Sequence, residues 1–180
     1  TIDRVNNSGA MFDKKKLDSF NSTYLRSKSR DSILKLMNFP DDFTSNETKL
    51  DMISEMATER AVFANELDGA MSYLYDRPTL EGELKLKNVD EFVRIMNVFA
   101  SDEIIGEYDD GDWNPKNIKM GLESIANNTS TKLGKAMPML RLALSGGKPG
   151  PQVVDIMYVI GHVETKQRID ALLSKIKELA

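Results

Sequence analysis

The sequence has no cysteine and only one histidine, His162. Without cysteine there are no disulfides, thiolate nucleophiles or thiolate metal sites. A lone imidazole also excludes most zinc sites and most catalytic triads that depend on histidine. We therefore expect no metal centre and no catalytic residue in this chain. The sequence at Asn21 matches the pattern for N-glycosylation, and we interpret it as a chance match.

Long apolar runs are missing as well. No uncharged stretch approaches the ~20 residues that a membrane-spanning helix needs, and residues 1–16 contain no apolar segment of the secretory-signal type. We expect a soluble protein of the cytoplasm or of an organelle matrix, with no membrane partner. Its 180 residues, 41% of them hydrophobic, can bury a core as one domain or two small ones.

The common motifs of nucleotide and hydrolytic chemistry are absent too. The chain has no Walker P-loop, dinucleotide-binding turn, zinc-protease helix or nucleophile elbow. The glycine-rich stretch SGGKPGPQ, residues 145–152, does not have the spacing of a phosphate loop. The paired acids Asp109 and Asp110 lie in a polar loop without a positioned partner. We therefore expect no cofactor to be bound by this chain.

Charge is distributed unevenly along the chain, although its net value is only −4. Residues 1–40 carry eight basic and four acidic side chains, residues 41–112 carry six and nineteen, and residues 113–180 carry ten and five. On charge alone, a solvated acidic surface is the simplest explanation. The alternative is that the basic flanks meet phosphate groups while the acidic middle faces away from them.

Apolar residues recur at helical spacing, and no segment alternates as a strand does. The pattern predicts an all-α fold, a bundle or cage of about eight helices in two packed subregions that divide near residues 80–88. Asp13 is expected to cap a first helix that buries Leu17, Phe20, Tyr24 and Leu25 on one face. Further helices are predicted from the caps at Asn88 and Asn114 and from the apolar runs at 133–145, 152–160 and 164–179. The segment around Arg60 is expected to form either two helices or one bent helix.

Arg60 and Arg141 have no acidic residue three or four positions away, the spacing at which a helix pairs opposite charges. A distant carboxylate is one explanation, and an external anion or base edge is the other. The residues alone do not decide between them. Trp113 could stack on a base, but a core position beside the helix capped by Asn114 is the simpler interpretation.

The stretch RLALSGGKPGPQVVDIMYVIG, residues 141–161, resembles a signature near the carboxyl end of bacterial-type glutamyl-tRNA synthetases. Order and approximate spacing agree over nearly the whole chain. The other matching segments are NNSGAMFDKKKLDSFNSTYLR, ERAVFANELDGAMSYLY, WNPKNIKMGLESIANNTSTKLGKAMPMLRLAL and ETKQRIDALLSKI.

The resemblance implies an α-helical anticodon-binding region of a class I aminoacyl-tRNA synthetase, a ligase that joins glutamate to tRNA(Glu) with ATP and Mg²⁺. The catalytic motifs of that enzyme are not in this chain, so we expect it to be inactive alone. The implied organisation is the end of a stem-contact region in residues 1–28 and two helical anticodon-binding subdomains, 29–84 and 85–180. A monomer that binds tRNA, and not DNA, is expected.

The resemblance also implies the site. Arg60 corresponds to the arginine that reads the third anticodon base, and Arg141 to the one that contacts the middle base. The anticodon-contacting loop corresponds to Gly150, Pro151, Gln152 and Val153. Gln152 and His162 differ from the residues most common at their positions. Two alternatives stay open, a helical protein-interaction module and a relative that charges both tRNA(Glu) and tRNA(Gln).

Overall fold

The computed structural model describes residues 13–40, 43, 45–79, 89–100 and 112–179. All regular structure in these ranges is helical, which confirms the all-α prediction. The helices are α1 (Lys14–Arg26), α2 (Arg30–Leu34), α3 (Glu47–Arg60), α4 (Leu67–Met71), α5 (Val89–Ala100), α6 (Pro115–Asn128), α7 (Leu133–Ser145), α8 (Val153–Ile160) and α9 (His162–Leu179). Two 3-10 helices, Ala64–Glu66 and Ser72–Leu74, flank α4.

Local capping chemistry determines where several helices begin. The carboxylate of Asp13 accepts a hydrogen bond from the backbone N–H of Lys16 at 3.2 Å, and the Asn114 side chain accepts one from Asn117 at 3.0 Å. Pro115 occupies the first helical position, where its missing N–H costs no hydrogen bond. The caps predicted at Asp13 and Asn114 are thus confirmed, while Asn88 and the expected boundary at 80–88 lie outside the described residues.

The chain turns sharply after α3, which ends at Arg60. Ala61 is extended (φ −85°, ψ 138°), so the segment forms two separate helices and not one bent helix. The Glu66 carboxylate accepts hydrogen bonds from the backbone N–H groups of Val62 and Phe63, at 2.8 and 3.1 Å. These bonds lower the pKa of Glu66. The turn directs α4 back against α3, and Tyr73, which follows α4, is buried.

The expectation for the first helix is wrong in one respect. α1 forms as predicted and Leu25 is buried as expected, but Leu17, Phe20 and Tyr24 are 40%, 72% and 64% exposed. The reason is that α1 meets the rest of the described structure mainly through α3, which covers the other side of the helix. Lys28 lies over the Tyr24 ring, with its Nζ 4.5 Å from the ring centroid.

The buried apolar side chains of both halves of the described chain form one continuous cluster. In the second half α9 packs on α5 and α7, and α8 lies between α6 and α3, where it joins the two halves. Trp113 is 4% exposed, and its Nε1 donates to the Met157 carbonyl at 2.9 Å, so its core position is confirmed. None of the described helices is long and apolar enough to cross a membrane.

Candidate anticodon interface

Arg141 lies in the last turns of α7 and is half-buried. Its Nη2 donates to the Pro151 carbonyl oxygen at 2.6 Å. Its Nη1 is buried and has no hydrogen-bond partner among the described residues. No carboxylate of the described chain forms an ion pair with this side chain. A buried charged donor without an acceptor is energetically costly, so the position favours a ligand that supplies an acceptor.

The loop that follows α7 folds back over Arg141. Gly146 and Gly147 have φ values of +64° and +77°, in the left-handed region that favours glycine and commonly ends a helix. The Ser145 hydroxyl donates to the carbonyls of Arg141 and Lys148, at 2.9 and 3.3 Å. The loop then returns so that Pro151 reaches the guanidinium of Arg141. The same bonds that end α7 therefore place the loop at the site.

Tyr73 forms the floor of this site and is only 2% exposed. A Cβ atom added at Gly150 would lie 2.8 Å from the Tyr73 hydroxyl oxygen and 3.6 Å from Arg141 Nη1, so these three residues adjoin one another. The hydroxyl makes a weak contact with Met71 Sδ at 3.8 Å. Burial raises the pKa of Tyr73 to about 12, although the charges of Arg141 and Arg60 partly oppose the rise. The hydroxyl therefore keeps its proton at neutral pH.

Gly150→Ala should disturb the site by steric overlap alone, because Gly150 is not among the residues with positive φ. A contact of 2.8 Å with the end of a rigid ring cannot be relieved without moving Tyr73 or the loop. We expect a loss of about 1–3 kcal/mol in the free energy of unfolding, as for other overpacked positions. Urea unfolding followed by circular dichroism measures it.

Gly134→Ala in α7 is the matched control, because its new Cβ would meet nothing within 4 Å. Alanine is the better helix former, so this variant should be neutral or up to about 1 kcal/mol more stable. Equal unfolding midpoints for the two variants would contradict the close approach at Gly150.

Arg60 lies at the end of α3, with 33% of its side chain exposed. Its Nη1 is 3.4 Å from Oε2 of Glu59, the preceding residue. An exposed pair of this length contributes little to stability, so the guanidinium remains available to a ligand. The charge of Arg60 also acts on Asp155, in the first turn of α8. The pKa of Asp155 is raised, mainly by burial and also by the negative charge of Glu59. The hydrogen bond from the backbone N–H of Gln152 and the positive charge of Arg60 lower this pKa, but by less.

Three of the six expected site residues, Arg141, Gly150 and Pro151, lie together beside Tyr73. A fourth, Arg60, acts on the Tyr73 hydroxyl through its charge, which lowers the pKa of that group. The other two differ from one another. Gln152 is exposed at the start of α8, whereas Val153 is 4% exposed and its side chain belongs to the core. His162, whose ring packs edge-to-face on Trp113 with centroids 5.9 Å apart, is the first residue of α9.

The sequence pattern does not indicate that Tyr73 and Asp155 lie near the two arginines. Tyr73 stands within the quoted segment ERAVFANELDGAMSYLY, but three of its last four residues are aromatic or apolar, and periodicity does not single one out. Asp155 was hidden because its nearness to Arg60 depends on the packing of α8 against α3.

Comparison with known proteins places this arrangement in a family. The chain is 26% identical to the glutamate–tRNA ligase of Cytophaga hutchinsonii over 181 residues, covering 99% of this chain and 35% of the relative. It is 29% identical to that of Flavobacterium psychrophilum, covering 96% of this chain and 34% of the relative. It thus spans about a third of the length of these relatives and matches their carboxyl-terminal part.

Solved structures agree with these sequence matches. A glutamate tRNA ligase from Elizabethkingia meningosepticum in complex with its amino acid superposes with a TM-score of 0.77 at 27% identity, over 98% of this chain and 35% of that one. The glutamate-tRNA synthetase of Elizabethkingia anophelis gives 0.73 at 27% identity, over 97% and 34%. The family model described as "Anticodon binding domain" matches residues 25–173, and the chain therefore belongs to the anticodon binding domain family.

Proposed function

We propose that this chain is the anticodon-reading part of a glutamate–tRNA ligase and that it binds tRNA(Glu). The observation that carries the proposal is the buried, unused Nη1 donor of Arg141 beside Gly150 and Tyr73. This donor lies at the position that the resemblance assigns to the middle anticodon base. Its surroundings are built by residues from three separate segments of the chain.

Anticodon bases are single-stranded and can splay outward, so their polar edges are accessible to side chains. In this proposal Arg141 donates to the middle base, and Arg60 donates to the third base from the end of α3. A guanidinium has five donors and no acceptor, and it can therefore select bases by the acceptors they present. Gly150, Pro151, Gln152 and Val153 supply backbone groups around the bases, and the buried side chain of Val153 holds that loop in place.

The complete protein that we propose uses ATP and Mg²⁺ to join glutamate to tRNA. The described residues contain no group of three histidine, cysteine or acidic side chains that could hold a metal ion. We propose that residues 1–28 end a stem-contact region, that 29–84 and 85–180 are two helical subdomains, and that the protein is a cytoplasmic monomer. ATP–pyrophosphate exchange by this chain alone would contradict the assignment.

Binding of tRNA should be weak and dependent on salt. The phosphate ligands available are the exposed lysines of the two basic flanks, such as Lys14, Lys15, Lys16 and Lys148, while the acidic middle limits how many engage. Each neutralised phosphate of a single strand gives a slope of about −0.7 in a plot of log K against log salt, so a few contacts should give roughly −2 to −4.

Filter binding with transcripts of tRNA(Glu), tRNA(Gln) and an unrelated tRNA across a salt series measures this slope. Measurable binding with a flat salt response would contradict the electrostatic part of the proposal. Equal affinity for tRNA(Glu) and tRNA(Gln) would indicate the dual-specificity alternative, and no binding to any transcript would leave a helical protein-interaction module.

A further inference from the structure

Arg168 in α9 is the most deeply buried cation of the described chain, with 3% of its surface exposed. Its Nη1 donates to two backbone carbonyls, those of Tyr73 at 2.5 Å and Leu144 at 2.7 Å. Its Nε donates to Oε1 of Glu164 at 2.7 Å. The guanidinium therefore joins three segments of the chain that are far apart in sequence.

The two carbonyls lie at the ends of helices. Leu144 is in the last turn of α7, and Tyr73 is in the 3-10 helix Ser72–Leu74. Carbonyls in the last turn of a helix have no partner within the helix, and a cation placed there also interacts favourably with the helix dipole. Arg168 thus satisfies one such carbonyl from each half of the described fold with a single group.

Both carbonyls belong to segments that build the candidate site. Leu144 lies three residues after Arg141 on α7, and the hydroxyl of Tyr73 lies beneath Gly150. The position of the Arg141 guanidinium relative to the Tyr73 ring therefore depends on how these two segments are held together. Side chains that bind a ligand need placement to within about 0.5 Å, which favours support by a second set of bonds.

A second ion pair holds Arg168 in turn. Nε and Nη2 of Arg77 donate to the two oxygens of Glu164 at 2.9 and 2.7 Å, and Arg77 also donates to Gln167. Burial raises the pKa of Glu164, but the bonds from Arg77 and Arg168 outweigh burial, and the net pKa is lowered. Glu164 therefore stays ionised at neutral pH and fixes the guanidinium plane of Arg168.

We propose that Arg168 is a positioning residue for tRNA recognition, which sets the geometry of Arg141 and Tyr73 by bonding the backbone beneath both. This inference rests on the proposed function. Arg168 is buried and makes no contact with RNA itself. A lysine would keep the charge, but its single ammonium group lacks the planar fork that reaches Glu164 and both carbonyls together.

The test compares Arg168→Lys with the unchanged chain in filter binding to tRNA(Glu), at a temperature where circular dichroism shows both fully folded. We expect Kd to rise roughly five- to tenfold, in the range of couplings carried by packed networks. The slope against salt should stay the same, because no phosphate contact is lost. Arg30→Lys is the matched control. Arg30 also bonds three acceptors, the carboxylates of Asp31, Glu47 and Asp51, but between α2 and α3, and its replacement should leave Kd unchanged.

A double-mutant cycle with Arg141→Gln separates positioning from general stability. If Arg168 acts through Arg141, Arg168→Lys should change Kd by less than about twofold once Arg141 is replaced, because coupled residues are not additive. An equal change in Kd with and without Arg141, or a change in stability with no change in Kd, would overturn the positioning role of Arg168. Either result would leave the proposed anticodon site intact. If Arg141→Gln by itself leaves Kd unchanged, the proposed anticodon site fails and this inference fails with it.

Should Arg168→Lys not fold, Glu164→Gln replaces it in the same cycle. This variant removes the negative charge that binds Nε of Arg168, while the two contacts to backbone carbonyls can still form. We therefore expect a smaller rise in Kd, roughly two- to threefold, and only when Arg141 is present. A rise that persists without Arg141, or no rise at all, would contradict the inference.

Discussion

Replacing Arg141 by glutamine should raise the Kd of this chain for tRNA(Glu) roughly tenfold to a hundredfold, the range for loss of one well-placed contact to a base. Glutamine keeps an amide donor and is a good helix former, so α7 should persist. It loses the positive charge and has one amide nitrogen in place of the two terminal nitrogens of the guanidinium, so it cannot donate to the Pro151 carbonyl and to a base together. Filter binding at constant salt measures the change.

The control for this variant is Arg94→Gln, which removes the same charge from an exposed position of α5 that is not among the proposed site residues. Its Kd should change by less than about threefold, since only a general electrostatic contribution is lost. Similar losses in the two variants would mean that Arg141 contributes only its charge and reads no base.

Replacing Arg60 by glutamine in the complete ligase that we propose should reduce the preference for the glutamate anticodon over a glutamine anticodon roughly tenfold to a hundredfold. The third base, which differs between them, is cytosine in the first and guanine in the second. Cytosine offers its carbonyl and ring nitrogen to the donors of Arg60, whereas guanine opposes them with its own N–H groups. Glutamine both donates and accepts, so this mismatch disappears. Charging efficiency on tRNAs that differ only at that base is the measurement.

Glu59→Gln is the matched control, because it removes the only carboxylate of the described chain that forms an ion pair with Arg60 and leaves the guanidinium intact. The preference should then remain. If Arg60→Gln folds normally and the preference is also unchanged, Arg60 has a structural role and the assignment to the third base is wrong.

Features of the fold that depend on neighbours in sequence were predictable. The caps at Asp13 and Asn114 act over three residues, and the helices that begin there follow from them. The buried face expected for α1 was wrong for three of its four residues, all except Leu25, because burial depends on what packs against a helix and periodicity reports only the pattern on the helix itself. Leu17 and Phe20 repeat at helical spacing and are nevertheless exposed.

The site was predictable only in part for the same reason. Arg141 could be singled out because no acid stands at helical spacing, but its actual neighbours, Pro151 and Tyr73, are fixed by the loop and by tertiary packing. Arg60 does have an acidic partner, the adjacent residue Glu59. The sequence pattern did not indicate this pair, because only positions three and four residues away were considered. The bonds of Arg168 reach across 95 and 24 residues, which no local pattern records.

The acceptors of Arg168 Nη1 are main-chain oxygens, which every amino acid provides. Substitution at position 73 or 144 can therefore change the side chain without removing the bond, while position 168 must keep its guanidinium. During evolution such a contact would restrict substitution at position 168 only, and it would not produce correlated substitutions at positions 73 and 144. Methods that infer contacts from correlated sequence change would not detect it, although it joins the two halves of the molecule.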